Sequence, residues 1–218
     1  MIKDIYEILK FHGIIKGLIR SKDYISQNVL FDIKHNVKTT KIKLVKSLLI
    51  HPKDKWYQPC YYTPVINAFS FLNKLVELKN YEVGFLDLGC GKGKPSIIFS
   101  KLKFSFTNYG FDIDYDLKNE FISNNLKFNK NNFFINEDIN NIDFNKYKKE
   151  LMIIFYMNTL NPDSLLKLIE KLKKVDTKYK FFIYSNPEFH KILTNYDLIY
   201  SEKKGWHKSW GINIYSLD

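Results

Sequence analysis

"FLDLGCGKGKP", Phe85 to Pro95, decides how this chain is read. An apolar run closes on Asp87 and Leu88, Gly89, Gly91 and Gly93 follow at alternate positions, and a helical pattern begins at Pro95. Three missing Cβ atoms in a strand-to-helix turn permit positive φ and close approach of a ligand to the backbone, while the next helix offers its free N–H groups. The turn is therefore expected to face a nucleotide-like ligand. A dinucleotide fingerprint needs glycine at the sixth position, which is Lys94 here, and a P-loop needs Gly-Lys-Ser/Thr after four spacers, which is absent. The spacing thus points away from NAD and ATP.

Outward from this stretch, short apolar runs alternate with helical patterns. "VGFLDL" precedes a helix over Pro95–Leu102, "FTNYGFDI" one over Leu117–Phe128, and "NNFFIN" a short link; "LMIIFYM" precedes a helix over Ser164–Lys174 and "KFFIYS" one over Phe189–Leu193. Parallel strands joined by crossover helices give this alternation, and strands covered on both faces are apolar throughout. "YDLIYSEKK" and "WGINIYSL" then follow with only a short link between them, which predicts a terminal antiparallel hairpin. The expected fold is α/β: a doubly wound, mostly parallel seven-stranded sheet with a C-terminal antiparallel hairpin and an N-terminal helical extension. Residues 81–218 form the sheet domain and residues 1–80 the extension or lid. Within the extension, the three- and four-residue spacing from Ile2 to Ile19 predicts an amphipathic helix. Loops and short elements are expected from Ser21 to Pro59, and a second helix over Thr63–Leu78.

The composition bounds the function. The 218 residues suit one domain with an extension. Cys60 and Cys90 lie thirty residues apart with no secretory-leader pattern ahead of them, which suggests neither a disulfide framework nor a zinc site and favours a reducing, cytoplasmic setting. No stretch reaches the ~20 apolar residues of a membrane span. The net charge of +11 would attract nucleic acid. However, Arg20 is the only arginine among 34 basic residues, and base and phosphate readout recruits arginine for its rigid fork. Lysine, Asn, Ile and aromatic richness together read as background composition, so a nucleic-acid partner is not favoured.

Three aspartates end three successive strand candidates. Asp87 closes the first, Asp112 in "GFDID" the second and Asp138 in "NEDI" the third. At a strand's carboxyl end a carboxylate can accept from both ribose hydroxyls, and Asp138 can accept from an exocyclic amine while Ile139 packs on the base. The plainer role for such aspartates is capping, as at Asp114 or Asp116; three together favour a nucleoside pocket.

"FLDLGCGKG", "YGFDID" and "NEDI" together resemble the first three motifs of the class I S-adenosylmethionine-dependent methyltransferases, over about Tyr81 to Asp218. "FDIKHNVKT" (Phe31–Thr39) and "WYQPCYYTP" (Trp56–Pro64) resemble small bacterial members of undefined substrate, with Lys38 in place of their usual aspartate. The resemblance implies S-adenosyl-L-methionine as cofactor. It implies Asp87, Gly89, Cys90, Gly91 and Gly93 at the methionine part, Asp112 with Ile113 at the ribose side, and Asp138 with Ile139 at the adenine.

The acceptor side is less defined. "FYMNTLNPD" brings Tyr156, Asn158 and Asn161 to the crevice mouth, but Thr159 and Leu160 follow Asn158 where amino-methylating relatives carry Asn-Pro-Pro-aromatic. That departure argues against an adenine N6-methyltransferase of the usual pattern. In "GWHKSW", Trp206, His207 and Trp210 would reach the ligand side if the sixth strand runs parallel to the first, with His207 as a candidate general base. His190 is a weaker candidate. Tyr57, Tyr61 and Tyr62 are candidate lining residues of a lid. The acceptor expected is an O or N atom, on a glycan or small metabolite ahead of a protein lysine or RNA; the alternative is a module that binds S-adenosylmethionine without catalysis.

Overall fold

A computed structural model describes residues 14–40, 59–157, 159–203 and 211–218. The helices are α1 (Ile14–Tyr24), α2 (Leu30–His35), α3 (Tyr62–Val76), α4 (Lys94–Phe99), α5 (Lys118–Asn125) and α6 (Pro162–Lys173). The strands are β1 (Val83–Leu88), β2 (Thr107–Asp112), β3 (Asn132–Asn136), β4 (Leu151–Tyr156), β5 (Tyr179–Ser185), β6 (Asp197–Lys203) and β7 (Gly211–Ser216). They form one sheet in the order β3-β2-β1-β4-β5-β7-β6. The first five are parallel, and β7 runs antiparallel to both β5 and β6. It follows that β6 points the same way as β1. The α/β sheet with a closing hairpin is the architecture that the alternating sequence pattern predicts.

β1 and β4 are buried along their whole length, as "VGFLDL" and "LMIIFY" require. On one face, Leu86, Leu88, Ile154, Tyr156, Phe182 and Tyr184 join Leu165, Leu168, Ile169 and Leu172 of α6 in the core. On the other, Phe85 stacks on Phe99 with ring centroids 4.6 Å apart, and Phe69 of α3 meets both rings edge-on at 5.6 and 4.8 Å. Such pairs add about 0.5–1.5 kcal/mol each beyond the area they bury. Lys180 of β5 reaches α6 and donates through Nζ to the carbonyls of Lys173 and Val175, at 3.0 and 2.8 Å. A cation there satisfies carbonyls that the helix end leaves open.

The chain divides into two compact units, residues 1–63 and 64–218, the division falling in the first turn of α3. In the first unit the chain stays helical to His35, where loops were expected from Ser21. A π-helical turn over Ile25–Val29 inserts at "ISQNV". It shifts the phase of the apolar spacing, which breaks the pattern in sequence while keeping Tyr24 and Phe31 buried. Asn36, in the left-handed region at φ 52°, ends α2. The "FDIKHNVKT" stretch is then a closed turn: Asp32 accepts from Thr39 Oγ1 at 2.6 Å and from Thr40 N at 2.7 Å.

Three expected helices are shorter than their apolar spacing suggested. α4 ends at Phe99, where Ser100 Oγ donates back to the Ile97 carbonyl and a 3-10 turn takes over. The helix after β2 splits into a 3-10 turn (Tyr115–Leu117) and α5, which stops at Asn125. Asn125 Nδ2 donates to the Phe121 carbonyl, the competition with backbone that makes asparagine a poor helix residue. The segment after β5 is a single 3-10 turn, His190–Leu193. No helix among the described residues is long and apolar enough to cross a membrane.

Gly110 in β2 marks the tightest packing between sheet and helix. A Cβ there would fall into the Phe121 ring and 2.9 Å from Cys90 Sγ, whereas one on Gly84 would meet the flexible Lys149 side chain at 3.1 Å. Gly110→Ala is expected to cost about 1–3 kcal/mol in urea unfolding and Gly84→Ala under about 1 kcal/mol.

Candidate functional site

Strand order reverses between β1 and β4, so the ligand crevice of this sheet lies at their carboxyl ends. Gly89, Gly91 and Gly93 all adopt positive φ, at 78°, 50° and 76°. The turn they make is stitched to the end of β2. The N–H groups of Gly89 and Cys90 both donate to the Phe111 carbonyl at 2.9 Å, and Gly91 N–H donates to Asp112 Oδ2 at 2.8 Å. The other oxygen of Asp112 accepts from Asp114 N at 2.9 Å.

The missing side chains also serve internal packing. A Cβ on Gly89 would lie 2.8 Å from the Thr159 methyl of the loop after β4, and one on Gly93 would strike Asn125 and Phe121 of α5. The glycine turn is thus held between the β4 loop and α5. Two further contacts fix it to α5: Asn124 Nδ2 donates to the Lys92 carbonyl at 3.1 Å, and the buried Lys92 ammonium pairs with Glu120 at 2.7 Å.

Two carboxyl groups form the floor of the crevice, Asp87 buried and Asp112 half-buried. Asp87 is 1% exposed, and burial first, then the neighbouring Asp112, pushes its carboxyl well above the ordinary carboxylate range. Asp112 is raised as well, chiefly by burial, with the N–H groups of Asp114 and Gly91 opposing the shift. The Cys90 thiol is pushed well up by burial and by both carboxylates, which makes it a poor nucleophile. Buried carboxyl groups of raised affinity for protons favour a ligand that brings positive charge or hydroxyl donors, and disfavour phosphate.

The other predicted residues that are described in the sheet domain follow or close the carboxyl ends of β2 to β5. Ile113 is exposed beside Asp112, and Ile139 is buried in the core. Asp138 accepts at Oδ1 from Asn140 N (2.8 Å) and Asn140 Nδ2 (2.9 Å), capping a 3-10 turn. Tyr156 is fully buried, its hydroxyl accepting from Leu160 N–H at 2.8 Å and its pKa pushed up to about 12 by burial. Its partner in register, Tyr184, holds the β5 loop in the same manner, accepting from Phe189 N–H at 3.2 Å. Asn161 caps α6 through Ser164 N–H. His190 Nδ1 donates to the Pro187 carbonyl at 3.1 Å. Tyr62 opens α3 with its ring 5.5 Å from Phe31. Lys203 ends β6 at the crevice edge of the sheet; Tyr57, Asn158, Trp206, His207 and Trp210 lie outside the described residues.

No protein-family model matches the sequence, and no curated protein matches it. Solved structures do match its fold. Magnesium protoporphyrin IX methyltransferase from Synechocystis, solved with bound S-adenosylmethionine, superposes with a TM-score of 0.52 at 14% identity, over 71% of this chain and 77% of that one. A Pyrococcus horikoshii protein provisionally described as an RNA methyltransferase gives 0.50 at 13% identity, over 69% and 81% of the two chains. A second Pyrococcus horikoshii protein gives 0.50 at 16% identity, over 71% and 90%. The fold is that of the class I methyltransferases. What the chain shares with these proteins is the fold, which in this chain is a seven-stranded sheet whose last two strands form a reversed hairpin.

Several site residues had no counterpart in the motif reading. Thr159 at the glycine turn and Glu120 beneath it belong to helix and loop positions with no fixed spacing from the turn. Ser96 and Asn108 form a buried hydrogen-bonded pair beside Asp87, with Ser96 Oγ 3.0 Å from Asn108 Oδ1 and 3.4 Å from Asp87 Oδ2. An asparagine early in the strand run "FTNYGFDI" was the available signal.

The raised carboxyl of Asp87 makes a signed prediction. Its native proton affinity exceeds the unfolded one, so the native state holds more protons and stability falls as pH rises from the unfolded carboxylate range through the native value. Asp87→Asn is expected to melt higher than wild type at neutral pH, with the difference vanishing below the ordinary carboxylate range. Each kcal/mol corresponds to roughly 2–4 °C for a chain of this size, and melting curves across pH measure it.

Proposed function

We propose that this chain is an S-adenosylmethionine-dependent methyltransferase that delivers a methyl group to an O or N acceptor. The observation that carries the reading is the Asp112 carboxylate at the end of β2, tied through Gly91 N–H to a turn of three positive-φ glycines at the switch point. Asp112 would accept from the ribose hydroxyls, keeping one backbone N–H on each oxygen. The turn from Gly89 to Gly93, with Asp87 beneath it, would hold the methionine part, where a buried carboxyl suits an ammonium. Ile113 and Ile139 would flank the adenine, and Asp138 Oδ2 would accept from its amine. In this reading residues 81–218 are the catalytic domain and residues 1–80 an extension or lid.

When bound, S-adenosylmethionine supplies an electrophilic methyl group on a sulfonium, a strong donor that needs little activation. The protein's tasks are to orient the acceptor and keep water off the approach path. Tyr156 serves the first task indirectly: its hydroxyl fixes the β4 loop by accepting from Leu160 N–H, and a pKa pushed up to about 12 unfits it as a base near neutral pH. The buried Tyr156 and Tyr184 rings, 5.2 Å apart, brace the loops after β4 and β5 that flank the acceptor side. With Arg20 the sole arginine, a glycan or small metabolite suits the chain better than RNA.

Calorimetric titration with S-adenosylhomocysteine tests the proposal. Wild type is expected to bind it and not NAD, and Asp112→Ala to lose about 10- to 100-fold in affinity, the range for a hydrogen-bonded charged group. Absence of binding by the folded wild type, or equal binding by Asp112→Ala, would contradict it.

A further inference from the structure

A chain of polar side chains runs from the crevice floor through the apolar layer between β1, β2 and α4. Asp87 Oδ2 lies 3.4 Å from Ser96 Oγ, and Ser96 Oγ lies 3.0 Å from Asn108 Oδ1. Asn108 Nδ2 donates to Asn132 Oδ1 at 2.7 Å, Asn132 Nδ2 donates to the Asn129 carbonyl, and Asn129 Nδ2 donates to the Phe106 carbonyl at 3.0 Å. Asp87, Ser96 and Asn108 are each no more than 1% exposed. Their surroundings are apolar: Phe85 and Phe99 stack beside them, and Phe106 closes on both rings. Buried polar groups in such a layer are kept only when each finds a partner.

The hydroxyl of Ser96 has one hydrogen and two acceptors. Asn108 Oδ1 can act only as an acceptor, because its amide nitrogen is fixed on Asn132. At 3.0 Å it holds the Ser96 hydrogen more closely than Asp87 does at 3.4 Å. The serine oxygen is then free to accept from a protonated Asp87, and the whole chain is satisfied. If Asp87 loses its proton, the hydroxyl must turn toward the carboxylate and Asn108 Oδ1 forfeits its donor. The ionisable groups acting on Asp87 disfavour that loss. Asp112 faces it from β2; the Cys90 thiol on its own turn, pushed well up by burial and the carboxylates, stays uncharged, and the Lys92 ammonium pairs instead with Glu120 of α5.

We propose that Asn108, by holding the Ser96 hydrogen, is a positioning residue that keeps Asp87 neutral in the ligand-free protein, and that Ser96 is the donor that lets Asp87 ionise when a cationic ligand arrives. This inference rests on the cofactor reading of the crevice. The ligand's ammonium brings its own proton, so the carboxyl proton of Asp87 leaves to solvent, the Ser96 hydroxyl swings to the new carboxylate, and charge balances at the floor. Cofactor binding then releases one proton, and affinity falls as pH drops through the ligand-free titration of Asp87.

The test follows the Asp87 carboxyl carbon by NMR across pH in the ligand-free protein, assigned by its loss in Asp87→Asn. Ser96→Ala removes the donor to the carboxylate and is expected to move the titration to higher pH. Asn108→Leu frees the Ser96 hydroxyl for Asp87 and is expected to move it to lower pH. Ser96→Cys, with a weaker donor, should fall between wild type and Ser96→Ala, which keeps the test intact should Asn108→Leu not fold. A chain with a merely structural role would lower melting temperatures and leave the titration where it stands in wild type. Coincident titrations, or both variants moving the same way, would overturn the proposal. Titration with S-adenosylhomocysteine in buffers of different ionisation enthalpy then counts the proton released. Opposite shifts in the free protein without ligand binding would leave Ser96 in control of Asp87 and remove the cofactor reading instead.

Discussion

The hydrogen bond from Gly91 N–H to Asp112, 2.8 Å long, joins the turn after β1 to the end of β2 beside the crevice. Around it the turn after β1 is pinned to the Phe111 carbonyl by two further N–H groups, so the glycine turn and the end of β2 form one rigid corner. The geometry requires φ of 50° at Gly91, which a side chain would strain. It also buries a carboxylate, a cost that two backbone donors offset only in part. Storing that cost at the crevice is consistent with a site that a ligand completes, since hydroxyl donors or positive charge would relieve it.

The corner is supported from both sides. From α5, Phe121 and Asn125 fill the space that Cβ atoms on Gly93 and Gly110 would need, and Glu120 neutralises a buried lysine inside the turn. From β4, Thr159 closes against Gly89, and the loop that carries it is fixed by Tyr156. A change in any of these contacts would be felt at the turn, because close-packed neighbours transmit displacement and do not absorb it.

Much of this was legible in the sequence. "VGFLDL" corresponds residue for residue to β1 and "LMIIFYM" to β4 within one residue, because strands buried on both faces leave an unbroken apolar signature; the other runs locate their strands within a residue or two, although β3 and β6 are only half-buried or exposed. Helix ends were less legible. Ser100 and Asn125 stop helices by bonding backward to carbonyls, a local competition that apolar periodicity does not register. The π-helical turn at "ISQNV" hid a continuous helical stretch by displacing its phase. At the crevice, residue types and strand-end positions pointed to Asp87, Asp112 and the three glycines. Ser96, Asn108, Glu120 and Thr159 come together only through the crossing of helices and loops over the sheet, which no linear spacing encodes.

An S-adenosyl ligand is proposed to seat at the corner made by Gly89–Gly93 and Asp112. Mapping backbone amide shifts of the labelled protein during titration with S-adenosylhomocysteine tests it most directly. Saturable shifts centred on residues 89–93, Ile113 and Ile139 are expected, with the β6–β7 outer edge unmoved. No shift at these amides, or shifts confined to another part of the sheet, would contradict it.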